Sequence, residues 1–207
     1  MHLVTFLVLS LSFVPAAFAQ NALGFSDNFL QLVGPADPAP LTKRESFHAF
    51  LMNTAGPVPI IGEALGSALT QWTDSPPEWG QGWAAYGKRF GSNLAYNAVR
   101  QTISYGVAGV FHEDDRYFAS RDRGAWRRTR HALISTFTAR RCDGVDRFSI
   151  ASVTSVVGAA GISSLWGPRS WQGVGNISEN AGLSFASTAG FNVIREFLPD
   201  ILGRPRK

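Results

Sequence analysis

Small residues recur three or four positions apart inside four apolar stretches, and no other feature of this chain limits its fold as tightly. The rows are Gly62 and Gly66; Gly87, Gly91, Ala95 and Ala98; Gly158 and Gly161; and Gly182, Ala186 and Gly190. Each glycine weakens a helix by about 1 kcal/mol relative to alanine. A helix with several on one face must recover that loss, and the close approach of a neighbouring backbone is one means. No segment shows sustained alternation of apolar and polar residues, so strands are not expected. The expectation is an all-α fold: a single compact domain of five or six helices over 42–207, with glycine and small-residue packing ridges. At 45% hydrophobic and 16% charged, the 207-residue chain is neither a disordered polymer nor a collagen-like repeat. Its single cysteine, Cys142, excludes an intrachain disulfide.

Individual helices are legible. Thr42 and Glu45 make a T-x-x-E capping box, which predicts a helix over 43–53, broken at Gly56-Pro57-Val58-Pro59. Ile60, Ile61, Ala64, Leu65, Ala68, Leu69 and Trp72 then recur at helical spacing. A long helix is expected over 82–110 and an arginine-rich one over 125–140, with Trp126, Leu133 and Phe137 inward. The last is expected over 178–198, stopped by Pro199. Between these two lies 148–168, which is 21 residues without a charge. It is long enough to span a bilayer, but its serines and threonines suit a buried central helix better.

The start of the chain reads as an address. An uncharged apolar stretch over 3–14 precedes Ala17-Phe18-Ala19, an A-x-A cleavage pattern. The expectation is a signal peptide over 1–19, then an N-terminal segment and proline-rich linker over 20–41. Export to the periplasm or cell envelope follows.

Charge is uneven. Arg116 to Arg147 holds nine arginines and three acids, a net +6 in a chain of net +4. Arginine favours bidentate contact with phosphate and carboxylate. In an exported protein the expected partner is a membrane surface with anionic lipid or an acidic envelope polymer, not nucleic acid. Arg123, Arg127, Arg128 and Arg130 are the candidate binding residues, with Trp79 as an aromatic anchor. Small-residue rows also suit self-association.

Chemistry has one obvious home. His112-Glu113-Asp114-Asp115 is the densest titratable cluster. Adjacent carboxylates raise one another's pKa, and a nearby histidine or arginine separates acid from base. His131 or Asp200 would complete such a site if the fold brought either close. No H-E-x-x-H, C-x-x-C or G-x-S-x-G pattern accompanies it, so no metal and no cofactor are assigned. The competing reading is a latch, carboxylates at a helix boundary paired with arginines.

Pro76-Pro77-Glu78-Trp79-Gly80-Gln81-Gly82 and Tyr86-Gly87-Lys88-Arg89-Phe90-Gly91 read as a structural corner, with Glu78 reaching Lys88 or Arg89. Together with H-E-D-D-R-Y-F at 112–118 and E-F-L-P-D-I at 196–201, these segments resemble a group of small exported proteins of soil bacteria with no assigned activity. The resemblance covers about 160 residues and implies an intact single domain and a bacterial source. Two functions are expected from the residues. The first is an envelope-associated helical protein with a structural or interaction role, touching anionic lipid through the arginine-rich helix. The second is a periplasmic or secreted hydrolase, metal-assisted or not, built on His112 to Asp115.

Overall fold

The computed structural model describes residues 41–141 and 144–201. The chain divides between Gly34 and Pro35, and every described residue belongs to the second unit. The expected signal peptide, most of the expected linker, Cys142 and the basic tail lie outside the described residues.

Six α-helices make up most of that unit: α1 (Lys43–Ala55), α2 (Pro57–Trp72), α3 (Trp83–Phe111), α4 (Ala125–Ile134), α5 (Ile150–Ser163) and α6 (Val174–Ile201). The all-α expectation holds for the architecture. The capping box forms as read: Thr42 Oγ1 accepts from the Glu45 amide at 3.3 Å, and Glu45 Oε2 accepts from the Thr42 amide at 2.8 Å. Helix α2 begins at Pro57, because proline suits the first turn, where an amide has no partner. Helix α6 continues through Pro199 to Ile201 instead of stopping there.

Helix α4 ends at Ile134, short of the expected 140, because strands follow. β1 (Glu113–Asp114), β2 (Thr138–Arg141) and β3 (Asp146–Phe148) form a small antiparallel sheet in the order β1-β2-β3. Gly144, at φ 75°, turns the β2–β3 hairpin. The register sets Glu113 opposite Arg141, Asp114 opposite Arg140, and Arg140 opposite Asp146. Opposite charges across strands stabilise this ladder.

Helices α3 and α5 pack against each other, with α2 and α1 on α3 and α6 against α4 and α5. The small residues act unevenly. Ala151, Ser155, Ala159 and Ala160 are buried in α5, and a Cβ on Gly158 would meet Ile103 Cδ1 at 3.0 Å. Around Gly62, Gly66, Gly87, Gly91, Gly182 and Gly190 an added Cβ would meet open space. Close approach therefore occurs at Gly158 alone among these glycines, against a side chain; Gly161, like the rows on α2, the start of α3 and α6, meets open space.

The interior is unusually polar. Val156, Ala160 and Ala181 form an apolar centre, with Tyr96, Ile177 and Phe185 against it. Ser67, Arg89, Asn97, Arg128, Asn192 and Glu196 are also buried, whereas large apolar side chains are exposed on all six helices. No helix among the described residues is long and apolar enough to cross a membrane.

Candidate functional site

The sheet and the neighbouring helix ends decide the fate of the His112–Asp115 cluster. His112 is the left-handed C-cap of α3, at φ 55°, and its amide donates to Ala108 O. Glu113 is turned toward the start of α5. Its carboxylate accepts from Ser149 Oγ at 2.9 Å and from the amides of Ile150 and Ala151 at 3.2 and 3.1 Å. Those amides lack intrahelical partners and carry the positive end of the helix dipole, so a carboxylate fits there. Asp114 accepts from Arg116 Nε at 2.9 Å and from its terminal nitrogen at 2.7 Å. Asp115 accepts from Ser104 Oγ at 2.7 Å. Each carboxylate thus has a structural partner, but the arginine pairing of the latch is close only at Asp114; Glu113 caps a helix with Arg141 at 3.9 Å, and Asp115 holds a serine.

His131 and Asp200 do not join the cluster. The His131 ring packs edge-on to Tyr117 at 6.1 Å. Its Nδ1 is buried with no hydrogen-bond partner among the described residues. Asp200 pairs with Arg128. Among the described residues no group of three His, Cys, Asp or Glu is placed to hold a metal ion.

The strongest constellation joins residues that no spacing pattern in the sequence connects. Glu196, with 0% of its surface exposed, accepts from Tyr117 Oη at 2.6 Å, the Ser120 amide at 3.0 Å and Arg128 Nε at 3.0 Å. Arg128 also donates to Glu196 O at 2.7 Å, and its guanidinium lies over the Phe197 ring at 4.1 Å. Burial alone would lower the Arg128 pKa, but the hydrogen bonds it donates to Glu196 and Asp200 raise it. This network ties H-E-D-D-R-Y-F to E-F-L-P-D-I through α4. Arg195, beside it in the chain, is half-buried with its guanidinium 4.8 Å from the Phe191 ring centre, and desolvation lowers its pKa against the opposing charge of Asp115.

The corner is built on Arg89, only 1% exposed. It donates to the carbonyls of Ser75, Pro76 and Gly80 at 2.9, 3.0 and 2.9 Å, and to Gln71 Oε1. The expected contact from Glu78 to Lys88 or Arg89 gives way to one with Ser170, whose hydroxyl holds the Glu78 carboxyl below its usual pKa. Trp79 packs on Trp171 at 5.3 Å. With Gly87, Lys88, Gly91, Ala95 and Trp166 it lines an open groove of about 410 Å³.

Of the expected binding arginines, Arg123, Arg127 and Arg130 are exposed and Arg128 is not. Arg128 is thereby corrected from a binding residue to an internal tie. Trp126, expected inward, is 77% exposed. The reason is one exchange: α4 turns Arg128 and Ala132 to the interior, because Glu196 is there to meet the charge. Trp126, Arg127, Arg130, His131 and Ile134 line a surface cleft of about 260 Å³ together with Asp122. Asp122 lies 3.8 Å from Arg127. Leu133 and Phe137 are exposed close by in the chain.

Comparison with protein-family models, curated proteins and solved structures gives no match.

Proposed function

We propose that this is an exported, envelope-associated helical protein with a structural or interaction role, held on anionic lipid by the outer side of α4. One observation carries the reading: Arg127 and Arg130 line a single cleft with Trp126 and Ile134. Cationic groups beside an exposed indole and an aliphatic side chain suit a lipid headgroup region. Arg123 adds a third exposed charge just before the helix. The hydrolase alternative has less to rest on, because Glu113, Asp114 and Asp115 hold a helix end, an arginine and a serine.

Vesicle sedimentation tests the reading. The wild-type protein is expected to bind vesicles containing phosphatidylglycerol more tightly than pure phosphatidylcholine. Each arginine neutralised should weaken binding by about 1 kcal/mol, so R127Q/R130Q should bind about tenfold or more weakly at low salt. Equal binding of wild type and variant to the anionic vesicles would remove the proposal.

A further inference from the structure

Helix α2 is amphipathic in the reverse sense. Ser67, on the side that meets α3, is buried and accepts from Asn93 Nδ2 at 3.0 Å. Tyr86 Oη donates to Ala64 O at 3.1 Å on the same side. Ile61, Leu65, Leu69 and Trp72 are 56%, 67%, 58% and 76% exposed. Their spacing places all four within about 80° of the helix circumference. A helix facing water would turn such a stripe inward. Gln71 donates to Gly82 O at 3.3 Å, holding the start of α3 beside the end of α2. Trp83 is 89% exposed there, so Trp72 and Trp83 share one end of the stripe.

We infer that the outward face of α2 enters the hydrocarbon of one bilayer leaflet, with Trp72 and Trp83 at the headgroup level. The inference rests on the surface-association reading and adds the element that enters the lipid. Three observations select hydrocarbon over a protein partner. The stripe has no hydrogen-bonding side chain except the Trp72 indole, whereas a protein interface carries about one hydrogen bond per 100–200 Å². Exposed apolar side chains are not confined to α2. They include Leu51 of α1, Val157 and Ile162 of α5, and Leu183 and Ile194 of α6. Hydrocarbon has no fixed shape, so it covers whichever of these side chains lie on the side of the stripe without needing a matching partner surface. The length also fits. Ile61 to Trp72 rises about 16 Å at 1.5 Å per residue, close to half of the roughly 30 Å hydrocarbon core. A single-leaflet element needs no helix long enough to cross. Indoles at one end of the stripe suit the interface, where an apolar ring and a polar N–H are both satisfied.

The test uses the full chain and vesicles of equal phosphatidylcholine and phosphatidylglycerol, with and without bromine at acyl-chain positions just below the headgroups. Brominated chains are expected to quench the tryptophan emission of the wild type. W72F/W83F should still sediment with the vesicles and should lose about half or more of that quenching. Leu65→Ser should weaken partitioning about tenfold, the effect expected of one leucine side chain. A W72F/W83F protein that sediments normally and is quenched as strongly as wild type overturns this inference but leaves the surface reading. Absence of wild-type binding to any vesicle overturns both. A concentration-dependent dimer in light scattering, unquenched by brominated lipid and dissociated by Leu65→Ser, overturns it in favour of a second copy.

Discussion

Arg127 and Arg128 are neighbours in the chain and opposites in the molecule. Arg128 is buried against Glu196, where its hydrogen bonds fix α4 to α6. Arg127 reaches outward into the cleft beside Trp126, with Asp122 at 3.8 Å. The same side chain is a structural tie in one place and an exposed charge in the other. What differs is solvation. A buried guanidinium is tolerated only when its charge and donors are met; an exposed one keeps its water and contributes little to stability. Charge density along the chain therefore overstates the binding surface of the arginine-rich segment.

Breaking the buried side should cost most. R128M leaves Glu196 and its neighbours without their cation, and the loss is expected to be about 3–5 kcal/mol in urea unfolding. Adding E196L should return much of it, since the unpaired charge would be gone. If R128M alone proves as stable as wild type, the tie is not structural.

Glu113 offers the next contrast, a carboxylate whose neighbours in sequence suggest catalysis and whose neighbours in space make it a cap for α5. Glu113→Ala strips a charged acceptor from two amides and a hydroxyl, and should lower stability by about 2 kcal/mol. E113Q keeps the shape and should lose less. Thermal unfolding of the two variants ranks them.

Glu63 sharpens the comparison by pH. Burial raises its pKa to about 7, against the lowering influence of Arg100. The folded value lies above the ordinary 4.5, so its contribution to stability is full below pH 4.5. It is lost as pH rises through about 7. With allowance for solvent access the span is about 2 kcal/mol. E63Q should flatten this part of the stability profile, and urea midpoints at pH 5 and pH 8 would measure it.

The outer side should barely register in stability. R127Q/R130Q is expected within about 0.5 kcal/mol of wild type, even as vesicle binding falls. A large destabilisation would mean that these arginines, like Arg128, serve the fold.

Much of the helical architecture is legible in the sequence because its signals are local. The capping box at Thr42, the breaks at Pro57 and Gly80, and the apolar periodicities all act within a few residues. The β2 strand is not legible, since Thr138-Ala139-Arg140-Arg141 continues the composition of the helix before it. Only the glycine at 144 marks a turn. The Tyr117–Glu196 and Arg128–Glu196 hydrogen bonds join residues 79 and 68 positions apart, a distance over which spacing carries no signal. The His112–Asp115 cluster is visible as a concentration of charge, but its partners are not. Ser149 and Ile150 meet Glu113 only because the sheet brings β1 to the start of α5.

The sequence by itself determined that this chain forms helices, where most of them begin, and that arginine is concentrated before and within α4. Those properties follow from backbone preferences and periodicity, which each segment carries alone. Tertiary structure decided direction: which arginine turns inward, which carboxylate becomes a cap, and whether the α2 stripe faces the bundle or leaves it. A helical stripe has a side but no destination until neighbouring helices supply partners. In this protein polar groups took many of the interior places, and the large apolar side chains of α2 were left outside.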